Sequence, residues 1–436
     1  MQFLLLAGGV SSRLWPIPDK NTIEFCGKPL IRHRTENLFK FGFKKGVIVI
    51  NKENKEDCQE ALSGIPNVEF VEQAEALGMA DALLKARSLL DEELTLLVTS
   101  VNDLVTSEAF KNLLNQAKSD PRAEILLTAK KVSTYFPGGY LDFDPEGYVH
   151  RVVEKPDPEE VPSEFVNIVL HYFKDWPKFF DILETIKGDN KDDTYEKAFE
   201  LAAGREIKIR AVEYKGFWQA LKYPWHILPM MNYLIENQKP RIHRSAEISK
   251  KATIKGHVII EEGVKIFENA VIRGPAYIGK GAVIANNALV RDSHIGEGSV
   301  VGYNTEVARS YLGKNVWTHS NYIGDSVISN NCSFGAGTVT GNLRLDEGEI
   351  SSMIKGERKQ TGLNKLGVMM GPDCRVGINT NLMPGVKIGK DCFIAAGLNV
   401  AEDLLENTYL SLEQQHVKKE NMASAGGDRD GFKGKL

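Results

Sequence analysis

Residues 253–291 read TIKGHVIIEEGVKIFENAVIRGPAYIGKGAVIANNALVR, with a β-branched residue at every sixth position: Ile254, Ile260, Ile266, Ile272, Ile278, Ile284 and Val290. Neither the 3.6-residue turn of a helix nor the two-residue alternation of a strand produces that period. A short flat strand plus a turn, repeated three times per coil, does. One branched side chain per repeat then points into a narrow triangular core, with small or polar residues at the corners. The stretch therefore predicts a parallel β-helix. After Val290 the series slips by one residue to Ile295 and resumes at Val301 and Val307. A second block, GVMMGPDCRVGINTNLMPGVKIGKDCFIAAGLNV (367–400), closes the coil near residue 400. Between the blocks, LRLDEGEISSMIKGERKQTGLN (343–364) breaks the period and reads as an excursion loop.

Upstream the pattern is different. Strand-like runs QFLLLA (2–7), KGVIVI (45–50), LTLLVTS (94–100) and AEILLTA (123–129) alternate with helix-like PLIRHRTENLFKFGF (29–43), GMADALLKARSLL (78–90) and SEAFKNLLNQAK (107–118). Such alternation predicts a mainly parallel α/β sheet covered on both faces, with ligands beyond the carboxyl ends of its strands. The expected division is 1–226 for this domain, 227–240 for a linking helix and 241–403 for the β-helix. Residues 404–436 form a C-terminal segment, largely disordered at its end because KKENMASAGGDRDGFKGKL has too little apolar content to order itself.

The totals narrow the function classes. The 436 residues exceed one ordinary core, and the formal charge is −4, with 54 Lys plus Arg against 58 Asp plus Glu. That balance gives no global argument for a nucleic-acid or anionic-membrane partner. Five cysteines (26, 58, 332, 374, 392) are scattered without a C-x-x-C pair, so neither a disulfide framework nor a zinc site is indicated. The first apolar run is too short for a signal peptide and lacks a basic flank, which together with the cysteine usage predicts a cytoplasmic protein.

Between the first strand and the first helix stands LAGGVSSRLWPIPDK (6–20). Gly8 and Gly9 clear the approach to backbone N–H groups, the best ligands for a polyphosphate, and the following helix start adds a positive dipole end. Arg13 can fork onto phosphate oxygens and Lys20 can supply a compact charge. The spacing is neither a Walker A loop nor a dinucleotide fingerprint, and two glycines alone would be an ordinary strand–helix turn. The longer stretch GGVSSRLWPIPDKNTIEFCGKPLI resembles the signature of the sugar-nucleotide pyrophosphorylases. The resemblance continues to about residue 240. VEQAEALGMADALLKA is similar to the family's base-binding stretch and implicates Gln73 and Gly78. VTSVNDLV makes Asp103 the implied metal-binding carboxylate. Gly139 and the Glu154-Lys155-Pro156 motif would face the sugar, as would Asn167. A glutamine near the base suits UTP, and dTTP presents the same edge. Departures also stand in the sequence. The Arg13–Lys20 spacing is three residues short, Asp19 and Asn21 replace prolines, and Met79 replaces a common threonine. In GFWQALKYPW (216–225), Ala220 stands where many relatives carry a metal-binding aspartate. Gln219, or phosphates and water, would then complete a Mg²⁺ shell.

Along the coil, Lys255, Arg273 and Arg291 are spaced by eighteen, one coil, so they stack about 4.8 Å apart. Aligned like charges are destabilising, which calls for an anion or a carboxylate ladder beside them, with an anion site near Arg291 and Arg309 as one outcome. Further on, VWTHSNYIGDSVISNNCSFGAGTVTGN (316–342) resembles the acetyltransferase half of the bifunctional glucosamine-1-phosphate acetyltransferase/N-acetylglucosamine-1-phosphate uridylyltransferase family, and the likeness then covers almost the whole chain to residue 400. It implies His319 as the general base on the sugar amine. Tyr322 and Asn342 are implied as substrate- and thioester-side polar groups, and Lys365 as a family lysine. Arg309 is the implied substitute for a phosphate-contacting lysine at Ala308. An imidazole titrates near the working pH, as amine deprotonation needs.

The fold class expected is an α/β Rossmann-like nucleotidyltransferase domain followed by a left-handed parallel β-helix of hexapeptide repeats. The resemblance implies UTP, a sugar 1-phosphate and acetyl-CoA as substrates, Mg²⁺ as cofactor, and a homotrimer formed through the β-helix. Two alternatives remain open at this point: a nucleotidylyltransferase for another sugar whose β-helix only oligomerises or regulates, and a non-catalytic sugar-nucleotide-binding protein.

Overall fold

A computed structural model describes residues 1–186 and 193–423, together with 427, 431, 433 and 434. The first half is built on a nine-stranded sheet. Its centre is Gln2–Leu6, parallel to both Lys45–Asn51 and Leu96–Ser100, and Val68–Gln73 extends it from Lys45–Asn51. These strands are Val/Ile/Leu-rich because helices cover both faces: Phe3, Leu4 and Leu5 are all fully buried. Gly46 is required by this packing, since a Cβ there would fall 2.2 Å from the Phe3 ring.

The remainder of the sheet corrects the expectation of a mainly parallel one. Phe165–Phe173 runs antiparallel to Leu96–Ser100, to Ile125–Lys131 and to Gly139–Phe143, and Val149–Glu154 runs antiparallel to Gly139–Phe143. No crossover helix interrupts the chain from Ile125 to Phe173, and a short turn joins the antiparallel pair Gly139–Phe143 and Val149–Glu154, as antiparallel neighbours permit. Leu6, Ser100 and Gln73 end on the same rim, so the loops after them converge.

The helix Ile227–Glu236 leads into a three-faced parallel coil. Two faces are eight-stranded sheets, and the third consists of two four-stranded segments joined through Trp317. The sixfold residues stack in columns: Ile254 on Ile272, Val290, Val307 and Ile323 on one face, Ile260 on Ile278, Ile295, Leu312 and Ile328 on another. Successive offsets along the first column are 18, 18, 17 and 16 residues. Each lost residue comes out of a corner. The first is missing from Asp292–Ser293, the second from Thr318–Asn321, where Gly302 has no room for a Cβ because the Thr318 carbonyl oxygen lies 2.2 Å from it.

The coil runs past the expected boundary at residue 403. Leu404 bridges Ile388, and Tyr409–Leu410 pairs in parallel with Phe393–Ile394. In AEDLLENTYL the sixfold series breaks after Val400 and restarts only four residues on, so Leu404 and Leu410, themselves six apart, are placed by the pairing. The excursion after Asn342 is a hairpin, Ser351–Ile354 against Glu357–Gln360. The disorder expected at the chain's end falls partly on residues 424–426, 428–430, 432, 435 and 436, which lie outside the described residues. All five cysteines are buried and unpaired. Among the described residues no helix is long and apolar enough to cross a membrane.

The two halves share a core. Phe25, Ile227, Met230 and Leu234 pack in one cluster with Ile259, Tyr277, Tyr311, Val327 and Met369 of the coil. At its centre the His294 ring is stacked between Tyr277 and Tyr311, with centroids 4.7 and 4.9 Å away. Its Nε2 accepts the Cys26 backbone N–H at 3.1 Å, so Nδ1 carries the proton and donates to the Leu312 carbonyl at 3.2 Å. Tyr311 donates to the Glu24 carbonyl at 2.9 Å and Lys314 pairs with Glu24 at 2.7 Å. A second contact pins the loop of residues 6–20. Lys387, buried in the coil, lies 4.7 Å over the Trp15 ring, donates to the Met353 carbonyl of the hairpin and pairs with Asp403 at 3.3 Å.

Burial lowers the pKa of His294 to about 4, that of His226 to about 4 and that of His171 to about 3. The unfolded chain protonates these imidazoles near 6.5 while the folded chain does not, so stability is lost as pH falls from about 6.5 to about 4. Melting temperature should drop between about pH 7.5 and about pH 5, and by less in His294→Gln; equal drops would show that His294 is not among the titrating groups. Gly46→Ala should cost about 1–3 kcal/mol in denaturant titration through its overlap with Phe3.

Candidate active sites

Where the strand ends converge there is a cleft of about 400 Å³, lined by Arg13, Lys20, Gln73, Gly78, Asp103, Gly139, Glu154 and Asn167 among others. The loop entering it is fixed from behind. Asn21 and Asn54 donate to the Ala7 carbonyl at 3.0 and 2.9 Å, and Asn51 donates to that of Gly8 at 2.9 Å. A Cβ on Gly8 would sit 3.3 Å from Gln73 Oε1, and one on Gly9 would sit 3.1 Å from Lys20 Nζ. A side chain at either position would crowd these groups, which would have to give by a few tenths of an ångström. Lys20 is buried, which lowers its pKa; Asp19 and Asp103 act against that shift and Arg13 with it.

Asp103 pairs in register with Ala220, and Trp218 Nε1 donates to its Oδ1 at 2.9 Å. Burial pushes the carboxyl up; Trp218, Lys222, Arg34 and Lys20 pull it back down. No group of three or more His, Cys, Asp or Glu able to hold a metal exists among the described residues. The donor set fits a cation bound by Asp103 Oδ2 only if phosphates and water supply the other ligands. Gln219 does not stand in for the missing carboxylate: its amide donates to the Ala220 carbonyl at 3.1 Å, and it does not line the cleft. The amide nitrogen of Gln73 is committed to the Gly78 carbonyl at 3.0 Å and Asp81 at 2.9 Å, so its two-sided readout of a base edge is not set up in this state.

On the opposite wall, a Cβ on Gly139 would lie 2.9 Å from Val152 and 3.2 Å from Glu154 Oε2, and Glu154 pairs with Lys155 at 2.8 Å. Asn167 Oδ1 is held by His171 Nε2 at 2.9 Å, and His171 Nδ1 meets the Tyr195 hydroxyl at 2.7 Å. With the imidazole neutral, the tyrosine donates to Nδ1 and Nε2–H donates to Asn167, which leaves the asparagine NH₂ for a ligand. Sequence reasoning missed His171, Tyr195, Trp218, Arg34 and Lys222. The last lies 3.9 Å over the Phe136 ring and donates to the Pro137 carbonyl at 2.8 Å; burial lowers its pKa to about 8. Its only signal was its place in GFWQALKYPW, two residues after the anomalous Ala220.

In the coil, the basic column is as spaced: Lys255 beside Arg273, Arg273 beside Arg291, then Ala308. At Arg291 and at the neighbouring Arg309 a carboxylate of the chain supplies the counter-charge, so of the two expected outcomes it is the carboxylate rather than an open anion site that the structure shows there. Arg291 pairs with Glu306 at 2.8 Å. Arg309 makes a two-pronged bond to Asp325, Nε to Oδ1 and Nη2 to Oδ2, each 2.6 Å, and this pushes its pKa up. Asp325 also accepts from Asn342, whose amide donates to the Tyr322 hydroxyl at 3.1 Å. A Cβ on Gly324 would strike that hydroxyl at 2.6 Å and the Asn342 amide at 2.8 Å. Lys365, exposed, is brought next to this network because it bridges Leu343 and the Leu366 N–H donates to the Asn342 carbonyl at 3.0 Å. His319 is exposed in the shortened corner of the coil that carries Tyr322. Its backbone N–H is capped by the Asn321 side chain, which also donates to the Gly335 and Thr338 carbonyls at 2.8 and 3.1 Å.

Comparison with known proteins agrees with this layout. Residues 2–221 match the nucleotidyl transferase family, residues 237–334 the GMPPB C-terminal domain, and residues 367–401 the bacterial transferase hexapeptide (six repeats). The chain is 32% identical over 415 residues, 94% of its length and 97% of the relative's, to the bifunctional protein GlmU of Methanocaldococcus jannaschii. It is 32% identical over 411 residues, 93% of its length and 98% of the relative's, to the bifunctional sugar-1-phosphate nucleotidylyltransferase/acetyltransferase of Sulfurisphaera tokodaii. It is 30% identical over 437 residues, 97% of its length and 100% of the relative's, to the bifunctional protein GlmU of Methanococcus vannielii. With a nucleotidyl transferase domain, a hexapeptide coil and relatives matched nearly end to end, the chain belongs to the bifunctional GlmU family.

Proposed function

We propose that this enzyme acetylates glucosamine-1-phosphate with acetyl-CoA on its β-helix and transfers UMP from UTP to the resulting N-acetylglucosamine-1-phosphate in the α/β cleft. The convergence of Arg13, Lys20, Asp103, Glu154 and Asn167 on one cleft carries the second reaction. There the phosphate oxygen of the sugar attacks the α-phosphorus and pyrophosphate leaves. No covalent intermediate is required, so positioning and charge neutralisation set the rate. Gly8 and Gly9 give backbone access, Arg13 and Lys20 take charge on the nucleotide, and Glu154 and Asn167 orient the sugar. A Mg²⁺ ion on Asp103 would supply further neutralisation of the phosphates.

In the first reaction the amine nitrogen attacks the thioester carbon, His319 takes the proton, and the thiolate of coenzyme A leaves. The Tyr322–Asn342–Asp325–Arg309 network supports this reading, because it is a fixed polar array beside the corner that presents His319. The exposure of His319 is compatible with a site closed by a neighbouring subunit, and we read the protein as a cytoplasmic homotrimer assembled through the coil.

Incubation of purified protein with glucosamine-1-phosphate, acetyl-CoA, UTP and Mg²⁺ should yield UDP-N-acetylglucosamine, coenzyme A and pyrophosphate by mass. His319→Ala should abolish acetyl transfer and spare uridylyl transfer, and Lys20→Ala should do the reverse; joint loss in either variant rejects two separate sites. Gly324→Ala should lower acetyl transfer at least about tenfold by displacing Tyr322 and Asn342, again without touching the cleft reaction.

A further inference from the structure

Where Trp218–Ala220 pairs with Asp103–Val105 the cleft has one carboxylate, Asp103, and the pairing offers room for a second; its other lining carboxylates, Glu154 and Glu196, are carried by other elements. Ala220 lies directly across from Asp103 on the paired strand, so a methyl group occupies the position from which a second oxygen ligand would come. Two residues later the chain places a cation instead. Lys222 lines both the main cleft and an adjoining cavity of about 110 Å³ shared with Arg13, Lys20, Asn102 and Asp103. It is half-buried and makes no ion pair among the described residues; its hydrogen-bond partner is the Pro137 carbonyl at 2.8 Å. The Phe136 ring, 3.9 Å from the ammonium, restricts its movement. An ammonium so placed has given up much of its water for one neutral acceptor and an aromatic face, an arrangement that favours an incoming anion. Two of its three N–H groups are left to donate.

The location indicates which anion. Pro137 opens the wall formed by Gly138, Gly139, Glu154 and Lys155, whereas Asp103, Arg13 and Lys20 mark the other end. Lys222 stands between the two. We propose that Lys222 is a catalytic residue of the nucleotidyl-transfer cleft, binding the phosphate of the sugar 1-phosphate and supplying positive charge where the strand pairing lacks a second metal-binding carboxylate. This rests on the transfer reaction proposed above. It assigns Lys222 no proton transfer; its contribution is electrostatic, and strongest as the sugar phosphate closes on the α-phosphorus.

The test compares wild type, Lys222→Met, which keeps an apolar side chain on Phe136, and Lys222→Arg. Steady-state transfer from UTP to N-acetylglucosamine-1-phosphate is measured, together with calorimetric binding of each substrate. Acetyl transfer on the coil serves as the folding control and should be unchanged. In Lys222→Met the KM and Kd for the sugar phosphate should rise about tenfold or more and kcat should fall, while binding of UTP changes little. Lys222→Arg should recover part of the loss. Wild-type kinetics in Lys222→Met, or weakening confined to UTP, would overturn the assignment. If wild type forms no nucleotide sugar yet binds N-acetylglucosamine-1-phosphate more tightly than Lys222→Met does, the reaction is wrong and the phosphate-binding role stands. If wild type binds no sugar phosphate, both fall.

Discussion

Crowding of like charge is the constraint on which the first half of this molecule depends. Arg13, Lys20, Arg34 and Lys222 all act on or around Asp103, and only part of their charge is returned by carboxylates. Such a cluster persists because the scaffold over-determines it. Arg34 is fully buried and anchored on Thr99 at 3.1 Å, and Lys222 is held by a carbonyl and an aromatic ring. A polyphosphate relieves the repulsion as it binds, so part of the binding free energy is set before any ligand arrives. The rim of a sheet suits this task, because adjacent parallel strands end together and their loops meet with no side chain in the way.

In the second half the corresponding constraint is coil length. As the repeat shortens from 18 to 17 and then 16 residues, the loss is taken up in corners and the aliphatic column from Ile272 to Ile323 remains unbroken, whereas on the third face the buried Thr318 follows Ile284 and Val301. The second shortened corner is the one bearing His319, tightened around Asn321. The same strands that stack Val307 on Ile323 also set Ala308 beside Gly324. One residue further on, Arg309 and Asp325 face each other as an ion pair. The irregularities in the repeat thus coincide with its chemistry, as expected where a fold departs from its own rule.

The sixfold series was legible because a narrow prism tolerates one kind of side chain inward, and the glycine loop because backbone access needs side chains to be absent. The residues that converge on the first cleft carried local motifs and could be found one at a time. Other features depend on distant partners. GYLDF and VHRVVE mix polar and apolar residues too evenly to announce strands, and only pairing with Phe165–Phe173 and with each other defines them. Glu306 and Asp325, the mates of Arg291 and Arg309, lie 15 and 16 residues away along the chain and become neighbours only through the coil. Nothing in the sequence around Lys222 reveals Phe136 beneath it.

The contact between Lys387 and Trp15 bears on how such a chain can be taken apart. The tip of the nucleotide loop rests on a late coil, with the Pro16 carbonyl only 3.0 Å from where a Cβ on Gly371 would lie, and the hairpin is tied in through Met353. Excising the α/β half would bare an indole and the Phe25 hairpin to solvent and free the loop from its outer support. The halves are therefore poor building blocks for exchange: a chimera would have to import the matching coil along with the catalytic domain, and inheritance would tend to keep the pair together.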